Sequence, residues 1–330
     1  MNRTLLNVSR VAVVLAFFVI TIGAYTRLSD AGLGCPDWPG CYGQMLVPEH
    51  TEHVEKANQA YPDRPVEQAK AWKEMIHRYV AGTLGLLILA ICVLAWLKTS
   101  DSRTRVFGTA LLMLVIFQAL LGMWTVTLLL KPVVVMAHLL GGMTIISLLY
   151  WLALRQQVMV DGPRFLWQTN LRGWAIIGLI ILACQISLGG WTSSNYAALA
   201  CPDFPTCQGE VWPNMDFKEG FVLWRGLGID YEFGVLDGPA RTAIHMAHRI
   251  VAVVTFVVLL LVAIRALKNE VARNTGLAML LLLLLQISLG IANVVMHLPL
   301  SVAVAHNGVA ALLLLSLVRL LHQSLPMKSN

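Results

Sequence analysis

The chain has 330 residues, 57% of them apolar and only 13% charged. That balance excludes an ordinary soluble domain and points to a chain that crosses a membrane several times. The net charge of +6 carries no case for nucleic acid, because it reflects how positive residues are shared among the loops.

Apolar runs long enough to span a bilayer, about 20 residues each, fall at 11–27, 76–97, 106–126, 133–154, 173–191, 242–264, 275–296 and 302–321. The sequence therefore predicts an all-α polytopic membrane protein with eight transmembrane helices. The first run follows Arg3 and Arg10. It is read as an uncleaved span, since no small-residue cleavage site follows it cleanly. With the N-terminus inside, segments 1–10, 98–105, 155–172, 265–274 and the tail after 322, with Arg319 at its edge, hold 13 Lys/Arg against 3 Asp/Glu. The long loops 28–73 and 192–241 hold 7 Lys/Arg and 14 Asp/Glu. Positive residues resist translocation, so both termini are expected in the cytoplasm and both long loops outside. The loops are expected to be folded caps, with a short helix near 54–59.

The stretch 23–41, GAYTRLSDAGLGCPDWPGC, recurs 166 residues later as GGWTSSNYAALACPDFPTC, with nine of nineteen positions identical. The shared frame is Cys-Pro-Asp-aromatic-Pro-x-Cys, and each copy lies where an apolar run ends. Further echoes lie on both sides of the polar link 155–172. Ile76-His77-Arg78 matches Ala247-His248-Arg249 in place, Gln118-x-x-x-Gly122 matches Gln286-x-x-x-Gly290, and Ala137-His138 matches Ala305-His306. The fifth span carries another copy, Gln185-x-x-x-Gly189. Two pseudo-symmetric four-helix bundles follow, 1–160 and 161–330. Four spans per half is an even number, so the repeat is parallel rather than inverted.

Cys35/Cys41 and Cys201/Cys207 lie in the outer loops among prolines. Two small-loop disulfides are the natural reading, and a four-cysteine zinc site joining the loops is the alternative, without the tight spacing zinc favours. Cys92 and Cys184 stand alone in apolar runs and read as packing residues.

The chemistry is expected at His77, His138, His248 and His306, each near the outer end of an even-numbered span. A single such histidine reads as hydrogen-bonding glue between helices. Four of them, paired in register with the repeat, point instead to imidazoles presented at one depth in each half. That suits a planar iron macrocycle gripped from both faces. Glu74 shares a helical face with His77, and the matching position in the second half is His245. This asymmetry suggests reaction in the first half and electron storage in the second. The plain reading of Glu74 is an acid paired with Lys73 or Arg78. Arg27, Arg78 and Arg249 read either as contacts to propionate carboxylates or as residues snorkelling to the interface. Gln118, Gln185 and Gln286 are expected to bond across helices. His50, His53 and His322 read as solvated, and His297 as a short-loop residue.

Taken together, the cysteine loops, Glu74-x-x-His77-Arg78, Ala137-His138, His248-Arg249 and Ala305-His306 resemble the haem A synthase family along the whole chain. The resemblance implies an oxidoreductase that turns a methyl group of haem O into a formyl group, giving haem A for terminal oxidases. It implies a resident haem b held by His248 and His306, a substrate haem O held by His77 and His138, and a catalytic Glu74. It implies a loop disulfide at Cys35–Cys41. It also implies a multi-pass place in the bacterial cytoplasmic (inner) membrane with periplasmic long loops. Haem O synthase, an electron donor and terminal oxidase assembly are the partners implied. The alternatives are a di-haem b-type cytochrome that passes electrons, a thiol–quinone oxidoreductase using the loop cysteines, and a transporter.

Overall fold

The computed structural model describes residues 3–161 and 170–325. Among them the chain is all helical, with α1 (Arg3–Leu28), α2 (Thr51–Ala60), α3 (Gln68–Lys98), α4 (Ser102–Thr127), α5 (Pro132–Asp161), α6 (Asn170–Ser194), α7 (Phe217–Gly220), α8 (Gly238–Leu267), α9 (Arg273–Val295) and α10 (Leu300–Gln323). Eight of these, all but α2 and α7, are long and apolar enough to cross a membrane, matching the eight predicted spans. The short helix expected near 54–59 is α2. The predicted link 155–172 is helical at both ends, and 162–169, at its centre, lie outside the described residues, as do 326–330 of the predicted tail.

Polar residues set the helix ends. Asp101 caps α4 by accepting from Thr104 N at 3.1 Å, and Asp237 caps α8 by accepting from Ala240 N at 3.0 Å, with Pro239 in the first turn. The tight α4–α5 turn runs through Leu129 and Leu130, at φ 51° and 58°. The α9–α10 turn repeats it at His297 and Leu298, at φ 57° and 62°. The closing bonds match as well: Leu130 N donates to Thr125 O at 2.8 Å and Leu298 N to Asn293 O at 2.7 Å. His297 is thus an exposed turn residue.

Helix packing runs in two cycles. α1 packs on α3 and α5, α3 on α4, and α4 on α5. In the second cycle α6 packs on α8 and α10, α8 on α9, and α9 on α10. The cycles meet along α1–α10, α5–α6 and α5–α10. Lipid tails are as apolar as leucine, so close packing rather than burial from water holds such helices together. Small residues accordingly line the contacts. Ser9, Ala12 and Ala16 of α1 are buried, and Gly308 of α10 abuts α1, where an added Cβ would lie 3.3 Å from Thr21 Cγ2. α10 is the central helix: 56% of its apolar window is buried, against 17–28% for the other spans.

The two long loops lie at one end of the helices and cross between the cycles. Arg64 pairs with Asp230 and Glu232, and Tyr231 N donates to Leu129 O at 3.1 Å. Lys131, almost fully buried, donates to Gly226 O and lies over the Trp224 ring.

Candidate functional site

Each long loop opens with the same cysteine turn, built the same way. Disulfides join Cys35 to Cys41 and Cys201 to Cys207, so the zinc alternative is set aside. The Asp after each Cys-Pro reaches past the second cysteine. Asp37 accepts from Tyr42 N and Gly43 N, both at 2.7 Å, and Asp203 accepts from Gln208 N at 2.5 Å and Gly209 N at 3.0 Å. Those carboxylates hold Tyr42 and Gln208 at φ 54° and 57°, a region that side chains avoid without local hydrogen bonds. Burial is the chief reason that the Tyr42 phenol is pushed up to about 12, and its hydroxyl donates to Pro65 O at 3.2 Å.

An arginine from the long helix beneath fastens each turn. Arg78 donates to Asp37 O at 3.0 Å and to Gly40 O. Arg249 donates to Thr206 O and Asp203 O, both at 2.8 Å, and to Cys201 O at 3.2 Å. Carbonyl groups of these turns are thereby satisfied by a charged donor. Arg27 instead ties α1 to the end of α6, donating to Tyr196 Oη at 3.0 Å and Ser193 O at 2.8 Å.

Below the turns lie the four histidines. His77 of α3 and His138 of α5 stand on diagonal helices of the first cycle, and His248 of α8 and His306 of α10 on diagonal helices of the second. Each imidazole lies against a glycine of the neighbouring helix. An added Cβ would fall 2.8 Å from His77 Cε1 at Gly23, 3.2 Å from His138 at Gly122, 3.3 Å from His248 at Gly189, and 3.2 Å from His306 at Gly290. The first separation is one that real Cβ atoms do not show, so the glycines leave the width that the rings fill. All four histidines and all four glycines line one continuous, largely apolar cavity of about 1760 Å³. A cleft for one drug-sized ligand is roughly 300–1,000 Å³, so this one has room for more than one bulky group.

The three glutamines bond across helices as expected, each to a histidine. Gln118 Nε2 lies 3.1 Å from His138 Nδ1, Gln185 Nε2 lies 3.1 Å from His248 Nδ1, and Gln286 Nε2 lies 3.2 Å from His306 Nε2. The oxygen of each amide is buried without a partner, as are His77 Nδ1 and His306 Nδ1. Buried polar atoms left unpaired are costly and mark a site that expects something more. Gly141 makes room for Gln118, since a Cβ there would sit 2.1 Å from its Oε1.

Glu74 lies six residues inside α3, deeper than the apolar run beginning at 76 suggested, and it is buried. It takes the Arg78 partner that the plain reading offered, and its other oxygen accepts from Cys35 N at 2.9 Å. It also lines the cavity. His245, its counterpart, is buried with Nδ1 3.0 Å from Ala197 O. Two expectations need correction. Cys184 is exposed on α6 rather than packed, because lipid-facing and buried faces are equally apolar. His322 is buried with its ring 5.2 Å from that of Trp151, rather than solvated, because α10 runs through the centre of the fold. His50 and His53 are exposed as expected.

The sequence reading missed the glycines as seats for the histidines. The signal was the spacing Gln-x-x-x-Gly, which puts an amide and a bare backbone on one helical face.

Fold and site together define a multi-pass helical membrane protein with paired imidazoles facing an apolar cavity. Residues 7–318 match the family model COX15-CtaA, described as cytochrome oxidase assembly protein, and the chain belongs to that family. It is 51% identical over 309 residues to the heme A synthase of Shewanella oneidensis, covering 94% of this chain and 93% of that one. It is 26% identical to the heme A synthases of Caulobacter sp. (92% and 91% covered) and Bacillus licheniformis (93% and 91% covered).

Proposed function

We propose that the chain is a haem A synthase, an oxidoreductase that binds haem O and oxidises one of its methyl groups to a formyl group, giving haem A. The observation that carries this reading is the set of four imidazoles, each against a glycine and all facing one apolar cavity. The 51% identity to a heme A synthase supports it.

In this reading the chain is two pseudo-symmetric four-helix bundles, 1–160 and 161–330, related by a parallel repeat. His77 and His138 hold the iron of the substrate haem O. His248 and His306 hold a resident haem b. The residues fit such groups: neutral imidazole nitrogens ligate iron, orphaned ring nitrogens await partners, and the imidazoles line a large, mostly apolar cavity. When bound, the resident haem supplies one-electron transfer, which no side chain here can.

The remaining work falls to the chain's own side chains. Glu74 projects from the face of α3 that carries His77, so its carboxyl is placed to move a proton or to orient the reacting group beside the substrate methyl. Cys35 N–H and Arg78 hold that carboxyl in position. Arg27 and Arg249 each keep a buried Nε without a partner at the loop end of the cavity, placed for the propionate carboxylates. Arg78, which lines the same end, is placed for a propionate too. The apolar walls keep water from the reacting carbon.

The charge distribution supports cytoplasmic termini and outer long loops, periplasmic for a bacterial inner membrane. Haem O synthase, an electron donor and terminal oxidase assembly are the partners this activity implies.

The test is acid extraction of haem from cells that express the chain and have a supply of haem O, followed by chromatography. Haem A is the expected product. Recovery of unaltered haems alone, with the chain in the membrane, would refute the assignment and fit a di-haem electron-transfer protein.

A further inference from the structure

The two cycles of helices differ in bulk along one seam. His77 of α3 corresponds in the repeat to His248 of α8, so Gly82 and Gly85 stand where the second cycle has Val253 and Phe256. Gln118 of α4 corresponds to Gln286 of α9, so Ala119 stands where the second has Ile287. All six residues line the cavity. α3 packs on α4 and α8 on α9, so the exchanges lie along corresponding seams, each smaller in the first cycle. Nearby, buried Leu84 corresponds to Thr255, whose buried hydroxyl has no partner, so the first cycle is also the more apolar there. Tyr79 against Ile250 runs the other way in size, with its hydroxyl held at the outer rim by Met45 O at 2.5 Å.

Small residues in membrane helices usually let backbones approach closely. Gly82 and Gly85 do not serve that purpose, because a Cβ added at either meets no atom within 4 Å. Gly82 and Ala119 are exposed on the outside of the helices as well as lining the cavity, so the cavity reaches the lipid-facing surface between α3 and α4. Gly82 and Gly85 lie five and eight residues beyond His77, away from the loops. Along a helix axis that is about 8 and 12 Å.

The two haems differ in a way that matches this seam. Haem O carries a long isoprenoid chain where haem b carries a vinyl group, on the macrocycle edge away from the propionates. With the propionates at Arg27 and Arg78, that edge faces away from the loops, the direction in which Gly82 and Gly85 lie. His77 and Gln118, each with a buried atom that has no partner, line the same cavity.

We propose that the α3–α4 seam at Gly82, Gly85 and Ala119 takes the isoprenoid chain of haem O, and so selects haem O over haem b. This rests on the haem-ligand reading above and deepens it. In the second cycle Val253, Phe256 and Ile287 take up the corresponding space, which a haem with only a vinyl group does not need. Because the seam opens to lipid, a chain longer than the slot stays in apolar surroundings.

The test uses the full chain, purified after expression without haem O and titrated in detergent with haem O or haem b as the probe, followed by absorbance. Haem O is expected to bind the remaining site more tightly than haem b. Gly82→Val with Gly85→Phe copies the second cycle and should lower haem O affinity by about tenfold or more, with haem b affinity unchanged. That is the scale on which one methylene group decides the fit to an apolar pocket. Ala119→Ile, a single change on the other helix, should act in the same direction and does not depend on the double variant folding. Equal binding of the two haems by the unaltered chain, an unchanged preference in both variants, or an equal loss for both haems would overturn the proposal. If the preference persists while co-purifying lipid changes, an acyl chain occupies the seam and the proposal falls as well. His77→Ala with His138→Ala separates the two readings. Loss of both titrations keeps the ligand reading whatever the seam variants do, and unchanged titrations overturn the ligand reading itself.

Discussion

Residues before and after the 155–172 link repeat a set of local features and differ in a few side chains. The cysteine turn, its aspartate, its arginine, the helix turn at 128–131 and 296–299, and the glycine-seated histidines all recur. Against that background the differences are few. The first half has Glu74 where the second has His245, and Val19 where the second has Gln185. It also seats His77 more tightly against Gly23 than the second seats His248 against Gly189. The first exchange gives the first half an acid, and the second takes away a glutamine hydrogen bond to its histidine.

The largest effects should come from the histidines. His248→Ala or His306→Ala should remove the resident b-type absorption. His77→Ala or His138→Ala should keep most of it while haem A falls below detection in extracted membranes. Loss of both absorptions from any one of these substitutions would break the division between halves.

Next comes the acid. Glu74→Gln keeps the shape but not the proton chemistry, and haem A formation should fall by about 10²–10⁴-fold, the range of acid–base assistance. His245→Gln, the matching change in the other half, should leave turnover nearly unchanged. Equal effects would contradict the asymmetry.

Glycine substitution compares the seats directly. Gly23→Ala places a Cβ 2.8 Å from His77 Cε1, while Gly189→Ala places one at 3.3 Å from His248. The first should displace its ring and lower haem retention in its half by about tenfold, in line with losing ligand support. The second needs a shift of only a few tenths of an ångström and should cost less.

The disulfides come fourth. Closing so short a loop is worth roughly 2 kcal/mol in the chain-entropy model, so Cys35→Ser with Cys41→Ser and Cys201→Ser with Cys207→Ser should lower thermal stability similarly. Only the first pair should also lower turnover, because Cys35 N–H holds Glu74. Smallest of all, Arg64→Ala removes partly exposed ion pairs between the loops, worth about 1 kcal/mol or less, and should shift melting slightly without changing haem content.

Much of this could be read in the sequence, and the failures have a common cause. The eight spans, the cysteine turns and the four histidines announce themselves because polar residues in an apolar chain are conspicuous and the repeat doubles each signal. Helix ends were harder. α3 begins at Gln68 rather than at 76, since its first turns pack against the outer loop and carry the polar Lys70, Lys73 and the buried Glu74. Burial was harder still. In a membrane a lipid-facing Cys184 and a packed Cys92 sit in equally apolar runs. His322 looks like the start of a tail until α10 is seen to run through the centre. The glycine seats were visible only as small residues, which in membrane helices usually mean close packing.

The central claim is that each half holds one haem and that only the first transforms it. Its most direct test is the haem content of purified full-length chain, by species, in two double variants expressed with a haem O supply. His77→Ala with His138→Ala should carry haem b and neither haem O nor haem A, while His248→Ala with His306→Ala should lack haem b. Haem A from the first variant, or the same haem content in both, would contradict the account.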